Sequence, residues 1–210
     1  MLPGVGELLY LIGGASRSGK STLARRLLDT RQVPFFCLDY LTSGLETGVP
    51  GLGVRHEIPD QRRGELVWPV LCGLLRNIVE VEPRYVVEGD VLLPARVAEF
   101  TAAHRGRVRA CFLGYSRCTT EAKRAAIRSS PSAVNDWVAT LSDRDLGDLV
   151  AEMRDFSRYL ESECARWGLE YFDGGASHAA ALRRAEEYLV GEDRPNAGAG
   201  AMTSRTGARR

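Results

Sequence analysis

The chain has 210 residues, of which 28 are basic and 27 are acidic, so its formal net charge is +1. This balance argues against nucleic acid as a partner, because binding a nucleic-acid backbone normally requires an excess of cations. The hydrophobic fraction of 44% is enough for a full core, and no apolar run approaches the roughly 18 residues that predict a membrane span.

The first elements predicted along the chain are two short strands with a helix between them. An apolar run at 8–12, closed by two glycines, is typical of a buried parallel strand, and a helix over 21–29 follows it. A second apolar run at 33–38 ends in Asp39. Residues 41–59 are rich in Gly and Pro, which predicts a loop or a mobile insert.

The middle of the chain continues the alternation of helices and strands. Apolar residues recur every three to four positions between 66 and 79, which predicts an amphipathic helix that is kinked at Pro69 or begins near it. Apolar runs at 85–87 and 108–113 predict two further strands, with a helix at 94–104 between them.

The last third of the chain completes the pattern. Helices are predicted at 119–128, at 142–167 with Ser142 as N-cap, and at 176–190, and a strand is predicted at 169–172. Strands that alternate with helices throughout predict an α/β fold, in which a parallel sheet is covered on both faces.

The predicted domain covers 1–190, and the remaining residues, 191–210, are Gly-, Ala- and Arg-rich without periodicity, which predicts a disordered tail. Five cysteines are widely spaced and form no C-x-x-C pair, so neither a zinc site nor a disulfide framework is indicated. Together with an N-terminus unlike a secretory signal, this predicts a cytoplasmic protein.

One motif carries explicit chemistry. The segment 14–21 fits the phosphate-loop pattern G-x4-G-K-[ST] at every fixed position, and it lies between a predicted strand and a predicted helix, as the pattern requires. The predicted nucleotide-binding residues are Gly14, Ala15, Ser16, Arg17, Ser18, Gly19, Lys20, Ser21 and Thr22.

Each residue type in this loop has a physical task. Glycines let the backbone N–H groups approach phosphate oxygens, and the helix N-terminus favours an anion. Lys20 can reach the β- and γ-phosphates, Ser21 can ligate Mg²⁺, and Thr22 can bond the α-phosphate. ATP and Mg²⁺ are therefore the predicted cofactors. A Ras-type GTPase is excluded, because neither of the two lysines, Lys20 and Lys123, lies in an N-K-x-D motif.

With this loop, the chain resembles over about 8–190 the P-loop kinases of the nucleoside-monophosphate kinase and shikimate kinase type. It is also similar to chloramphenicol phosphotransferases and to bacterial adenylate-kinase-like proteins. The resemblance implies a three-layer sandwich whose five-stranded parallel sheet has the order 2-3-1-4-5. It also implies Mg-ATP as phosphate donor and a basic helical lid, here at about 117–138.

Asp39 is the next most informative residue. In similar kinases an Asp after the second strand contacts the acceptor hydroxyl or a Mg²⁺-bound water, and a carboxylate is suited to orienting or deprotonating a hydroxyl. We therefore expect Asp39 to be catalytic and to contact the substrate. The alternative is that Asp39 caps a helix at 40–46.

Glu88 and Asp90 follow the third predicted strand. The stretch from Glu88 to Arg96 is similar to the D-G-F-P-R stretch of adenylate kinases, although its longer spacing disfavours a nucleoside-monophosphate acceptor. The resemblance implies that Glu88 contacts the metal and the substrate and that Asp90 contacts the substrate. Either acid could instead cap the helix that begins near Pro94.

Several arginines are candidates for anion binding. Arg124 and Arg128 in the lid region are predicted to stabilise the transferring phosphoryl group, with Lys123 as a weaker candidate; the alternative is a solvated basic helix. Arg55, in the loop after the second strand, is a candidate substrate contact, as are its neighbours Arg62 and Arg63, for which a surface role is the alternative.

Three functions remain open at this point. The main hypothesis is an ATP- and Mg²⁺-dependent phosphotransferase that acts on a hydroxyl or phosphate group of a small-molecule acceptor. The alternatives are a nucleoside- or deoxynucleoside-monophosphate kinase and a nucleotide-binding regulator or weak ATPase. The acceptor and the oligomeric state cannot be predicted from these residues.

Overall fold

The computed structural model describes residues 8–129 and 137–191. Within these ranges the strands are β1 (Leu8–Gly14), β2 (Phe35–Cys37), β3 (Arg84–Gly89), β4 (Val108–Gly114) and β5 (Glu170–Asp173). The α-helices of the same ranges are α1 (Lys20–Arg31), α2 (Leu38–Gly48), α3 (Asp60–Val81), α4 (Pro94–Ala103), α5 (Thr120–Ser129), α6 (Asp143–Trp167) and α7 (His178–Val190). Short 3-10 helices lie at Pro50–Leu52 and Trp137–Thr140.

The five strands form one parallel sheet in the order β2-β3-β1-β4-β5, which confirms the predicted fold class. In the register, Ile12 of β1 and Cys37 of β2 both pair with Glu88 of β3. The carboxyl ends of these three strands therefore meet at one edge of the sheet. Ligands bind at that edge in open α/β sheets.

The sheet is buried on both faces because successive side chains of a strand point in opposite directions. Leu9 and Leu11 of β1 pack in a cluster with residues of α3, α4 and α6. Tyr10 and Ile12 pack in a second cluster with residues of α1 and α7. Helices on both faces of a buried sheet give the predicted three-layer sandwich.

The prediction of a loop at 41–59 was wrong over much of its length, because α2 continues to Gly48 and a 3-10 helix follows it. Leu38 is fully buried, and Leu41 and Leu45 pack against the same cluster. These leucines form a helical stripe at spacings of three and four. Their burial outweighs the low helix propensity of the glycines in this segment.

The long helix α3 begins at Asp60, well before Pro69, which lies inside it. A proline in a helix interior removes one hydrogen bond and crowds the preceding turn. Val67, Leu71 and Leu75 are fully buried on one face of α3, so packing against the sheet offsets that cost.

Both predicted ends of α6 are confirmed. The Ser142 hydroxyl caps the helix by accepting a hydrogen bond from the backbone N–H of Asp145 at 3.2 Å. Gly168 ends the helix with a positive φ of 66°, a conformation that favours glycine at this position.

Two predicted segments extend beyond the described residues. Within the predicted lid at 117–138, residues 130–136 lie outside them, as do residues 192–210 of the predicted tail. The lid and the domain boundary therefore stay predictions. No helix of the described ranges is long and apolar enough to cross a membrane.

Candidate active site

The phosphate loop connects β1 to α1, and two of its glycines are required by its shape. Gly14 has a φ of 149°, and a side chain there would clash with the Leu113 carbonyl oxygen and the Ser18 hydroxyl. Gly19 has a φ of 98°, and a Cβ atom there would lie 2.5 Å from Nε2 of His178. Any larger residue would thus be both strained and crowded.

The loop has polar groups that suit a phosphate ligand. The Ser18 hydroxyl is buried and has no hydrogen-bond partner among the residues that the structure describes, although buried polar groups are normally paired. The Lys20 ammonium is also buried and donates to the Ala15 carbonyl at 2.9 Å. An anion bound in the loop would supply acceptors to both side chains, and the N-terminus of α1 would favour its charge.

Ser21 and Glu88 are brought together by the pairing of β1 with β3. The Ser21 hydroxyl donates to Oε1 of Glu88 at 2.7 Å, and Glu88 is only 1% exposed. A hydroxyl and a carboxylate are ligands suited to Mg²⁺, which also keeps several waters and phosphate oxygens. These two residues therefore suit a magnesium ion and would be the ones to hold it. Across the described residues, no group of three or more His, Cys, Asp or Glu side chains could hold a metal ion.

Asp39 lies in the first turn of α2, directly after β2. Because the N-cap is Cys37, Asp39 is not the capping residue that the alternative interpretation required. Desolvation raises the pKa of Asp39, and the charge of Asp90 raises it further, whereas Lys20 and Arg63 lower it. Asp39 therefore interacts with the cation of the phosphate loop and with the acids beside it.

Asp90 lies beyond β3, next to two residues of α3. One guanidinium nitrogen of Arg63 donates to Asp60 at 2.5 Å and to Asp90 at 3.0 Å. Arg63 is 7% exposed. Desolvation and the charge of Asp90 raise the pKa of Asp60, whereas Arg63 and Lys20 lower it. Three carboxylates and one buried arginine thus lie beside the phosphate loop.

The sequence did not predict all members of this set of three carboxylates and one arginine. Asp60 was not predicted to be functional, and Arg63 was predicted only as a candidate substrate contact, with a surface role as the alternative, whereas its side chain is buried. The signal for Asp60 is weak, since an acid at the start of a helix is common for electrostatic reasons. Neither Glu88 nor Asp90 caps α4, whose N-cap is Leu93.

The predicted lid helix α5 reaches the phosphate loop through Lys123. Its ammonium donates to the Arg17 carbonyl at 3.0 Å and lies 3.7 Å from the centre of the Tyr115 ring. The Tyr115 hydroxyl donates to the Ser16 carbonyl at 2.8 Å. Desolvation lowers the pKa of Lys123 to about 8, and the charges of Arg17 and Lys20 lower it as well.

Arg124 and Arg128 are placed differently from Lys123. Their guanidinium groups lie 3.5 Å and 3.3 Å from the Asp143 carboxylate at the start of α6. Arg55 lies in the segment between α2 and α3 and is exposed. The catalytic roles of Arg124 and Arg128 and the substrate contact of Arg55 stay predictions.

Solved structures with a similar fold include a gluconokinase and two shikimate kinases. A gluconokinase from Sinorhizobium meliloti 1021 matches with a TM-score of 0.55 and 16% identity, over 87% of this chain and 91% of that chain. A shikimate kinase from Bacteroides thetaiotaomicron matches with a TM-score of 0.52 and 16% identity, over 87% and 98%. A shikimate kinase from Acinetobacter baumannii matches with a TM-score of 0.51 and 15% identity, over 90% and 97%.

The chain has the fold of these P-loop kinases. At such low identities the likeness shows the fold alone, so the activity has to be argued from the site. No protein-family model matches the chain, and no curated protein matches its sequence.

Proposed function

We propose that this protein is an ATP- and Mg²⁺-dependent phosphotransferase that phosphorylates a hydroxyl group of a small molecule. The observation that carries the proposal is the position of Asp39 in the first turn of α2, two residues after Cys37. Cys37 pairs with Glu88, which also pairs with Ile12 of β1, so Asp39 lies at the sheet edge that holds the phosphate loop. A donor site and a candidate base thus share one edge of the sheet.

The loop residues divide the binding of ATP among them. Backbone N–H groups between Gly14 and Gly19 hold the phosphates, and Lys20 binds the β- and γ-phosphates. Ser21 and Glu88 would hold Mg²⁺. When bound, the ion offsets negative charge on the phosphate oxygens.

Asp39 orients the acceptor hydroxyl for in-line attack and accepts its proton. The acceptor oxygen forms a bond to the γ-phosphorus while the bond from that phosphorus to the β–γ bridging oxygen breaks. The products are ADP and the phosphorylated acceptor, and the proton passes from the carboxyl group to solvent.

The fold neighbours support this class of activity, because their names describe kinases of small molecules. A monophosphate kinase has less support, because three carboxylates beside the phosphate loop would repel a second phosphate group.

The test is a screen of metabolite pools for ADP release by the full chain with ATP and Mg²⁺. We expect one pool to stimulate ADP release, the phosphorylated product to be seen by mass spectrometry, and Lys20→Ala to abolish the signal. ADP release that no acceptor stimulates would favour the weak ATPase. An absence of Mg-ATP binding in calorimetry would refute the proposal.

A further inference from the structure

The charge of the acceptor site limits what it can bind. Asp39, Asp60 and Asp90 come from three segments of the chain, and the group of four that they form with Arg63 is here called the acidic group. Asp39 and Asp90 follow Cys37 and Glu88, which pair in adjacent strands, and Arg63 joins Asp60 to Asp90 by hydrogen bonds. The acidic group therefore lies at the carboxyl edge of the sheet, next to the phosphate loop that follows β1.

The guanidinium group of Arg63 is already hydrogen-bonded to other residues of the protein. One terminal nitrogen donates to Asp60 and Asp90, and the other donates to the His56 carbonyl at 3.4 Å. Its guanidinium is buried, so it cannot swing towards a ligand without leaving two carboxylates unpaired. An anionic acceptor could therefore not use Arg63 as its counter-ion without breaking these bonds.

The other nearby cation, Lys20, serves the donor side. Its place in the phosphate loop commits its charge to the β- and γ-phosphates. With all groups ionised, Arg63 offsets only one of the three carboxylates, so the acidic group has a net charge of about −2. A carboxylate or phosphate on the acceptor would meet this charge in addition to that of ATP.

A cationic group on the acceptor would instead be attracted by the acidic group. An ammonium group donates hydrogen bonds that carboxylates accept, and hydrogen bonds between charged groups are stronger than neutral ones. Asp60 and Asp90 are partly exposed, with side-chain exposures of 28% and 18%, so neither carboxylate is closed off from a ligand.

We infer that the acceptor is an amino alcohol or amino sugar, whose ammonium pairs with Asp60 and Asp90 while its hydroxyl lies at Asp39. This inference rests on the proposed function and narrows it. It also predicts that the acceptor differs in charge from gluconate and shikimate, which are carboxylates.

The experiment compares acceptors that share a skeleton and differ in charge. Glucosamine, glucose, gluconate and glucose 6-phosphate are supplied with Mg-ATP to the full chain, beside pools of amino sugars, amino alcohols, neutral polyols and sugar acids. ADP release and product mass are measured. We expect kcat/KM for amine-bearing acceptors to exceed that of their neutral counterparts at least tenfold, with no transfer to anionic ones.

A substitution at Asp60 tests acceptor binding separately from phosphoryl transfer. Asp60→Asn should raise KM for the amine-bearing acceptor about tenfold and change kcat little, because Asp60 binds the ammonium group and takes no proton. Glu65→Gln is the matched control, since Glu65 is an exposed carboxylate on the same helix that pairs with Arg96. It should leave KM unchanged.

The outcomes distinguish the proposed function from the inference about the acceptor. If Mg-ATP does not bind, or no pool is phosphorylated, the proposed function fails and the inference fails with it. If transfer occurs but favours anionic acceptors, or neutral ones equally, the inference alone is overturned. It is also overturned if Asp60→Asn raises the Mg²⁺ concentration needed for half-maximal rate and leaves KM for the acceptor unchanged.

Discussion

The proposed donor side and the proposed acceptor side of the site are built in different ways. The donor side consists of contiguous residues from Gly14 to Thr22, joined by Glu88 from the neighbouring strand. The acceptor side takes Asp39 from the first turn of α2, Asp90 from the residue after β3, and a pair of residues from α3. One side is largely backbone and cationic, whereas the other is made of side chains and acidic.

This contrast separates the features that any phosphate loop would have from the features that are particular to this chain. Backbone N–H groups around a phosphate need only glycines and a helix N-terminus, so the donor side can be recognised from a short motif. The acceptor side depends on which side chains the fold brings together. Its acidic character therefore carries the information on substrate.

The largest expected effect lies on the donor side. Lys20→Ala should lower kcat/KM about a thousandfold, because it removes a cation that acts on charge developing in the transition state. It should also weaken ATP binding in calorimetry. Arg25→Ala, an exposed change on the same helix, is the control, and an equal loss in both variants would contradict the role of Lys20.

The second-largest loss of activity is expected on the acceptor side. Asp39→Asn should lower kcat about a hundredfold, the usual contribution of a general base, and leave the Kd for ATP unchanged. In the wild type the rate should fall as the pH falls through the raised pKa of Asp39, because protonation removes the base. A pH profile without that acidic limb would contradict the assignment.

Substituting Arg63 should lower the stability of the folded protein. Arg63→Met leaves Asp60 and Asp90 without their shared partner and should lower the free energy of unfolding by about 2 kcal/mol. This is less than for a fully buried pair, because both acids are partly exposed. Urea unfolding measures it. Arg96→Met, which breaks exposed pairs, should cost under about 0.5 kcal/mol.

The smallest effect concerns the contact between α5 and the phosphate loop. Lys123→Met should weaken ATP binding about fivefold, a loss of about 1 kcal/mol, as expected for one partly exposed charged contact. The wild-type affinity should fall as the pH rises through about 8, the pKa of Lys123, because the ammonium loses its charge there. Lys123→Arg stays charged and should flatten that profile.

Most of the fold was predictable because its signals are local. The apolar run of β1, the stripe of α3 and the caps of α6 each lie within a few residues of one another, and all three predicted elements are confirmed. The error at α2 arose because its glycines indicate a loop locally, whereas the burial of Leu38 depends on contacts with distant residues.

The sequence by itself determined the phosphate loop, the alternation of strands and helices, and the candidate acids at 39, 88 and 90. Only the tertiary structure decided that Asp60 and Arg63 join Asp39 and Asp90, and that Lys123 contacts the loop while Arg124 and Arg128 face Asp143. The physical reason is the distance along the chain. A backbone motif is specified by adjacent residues, whereas a group of side chains is specified by the strand order that places their elements at one edge of the sheet.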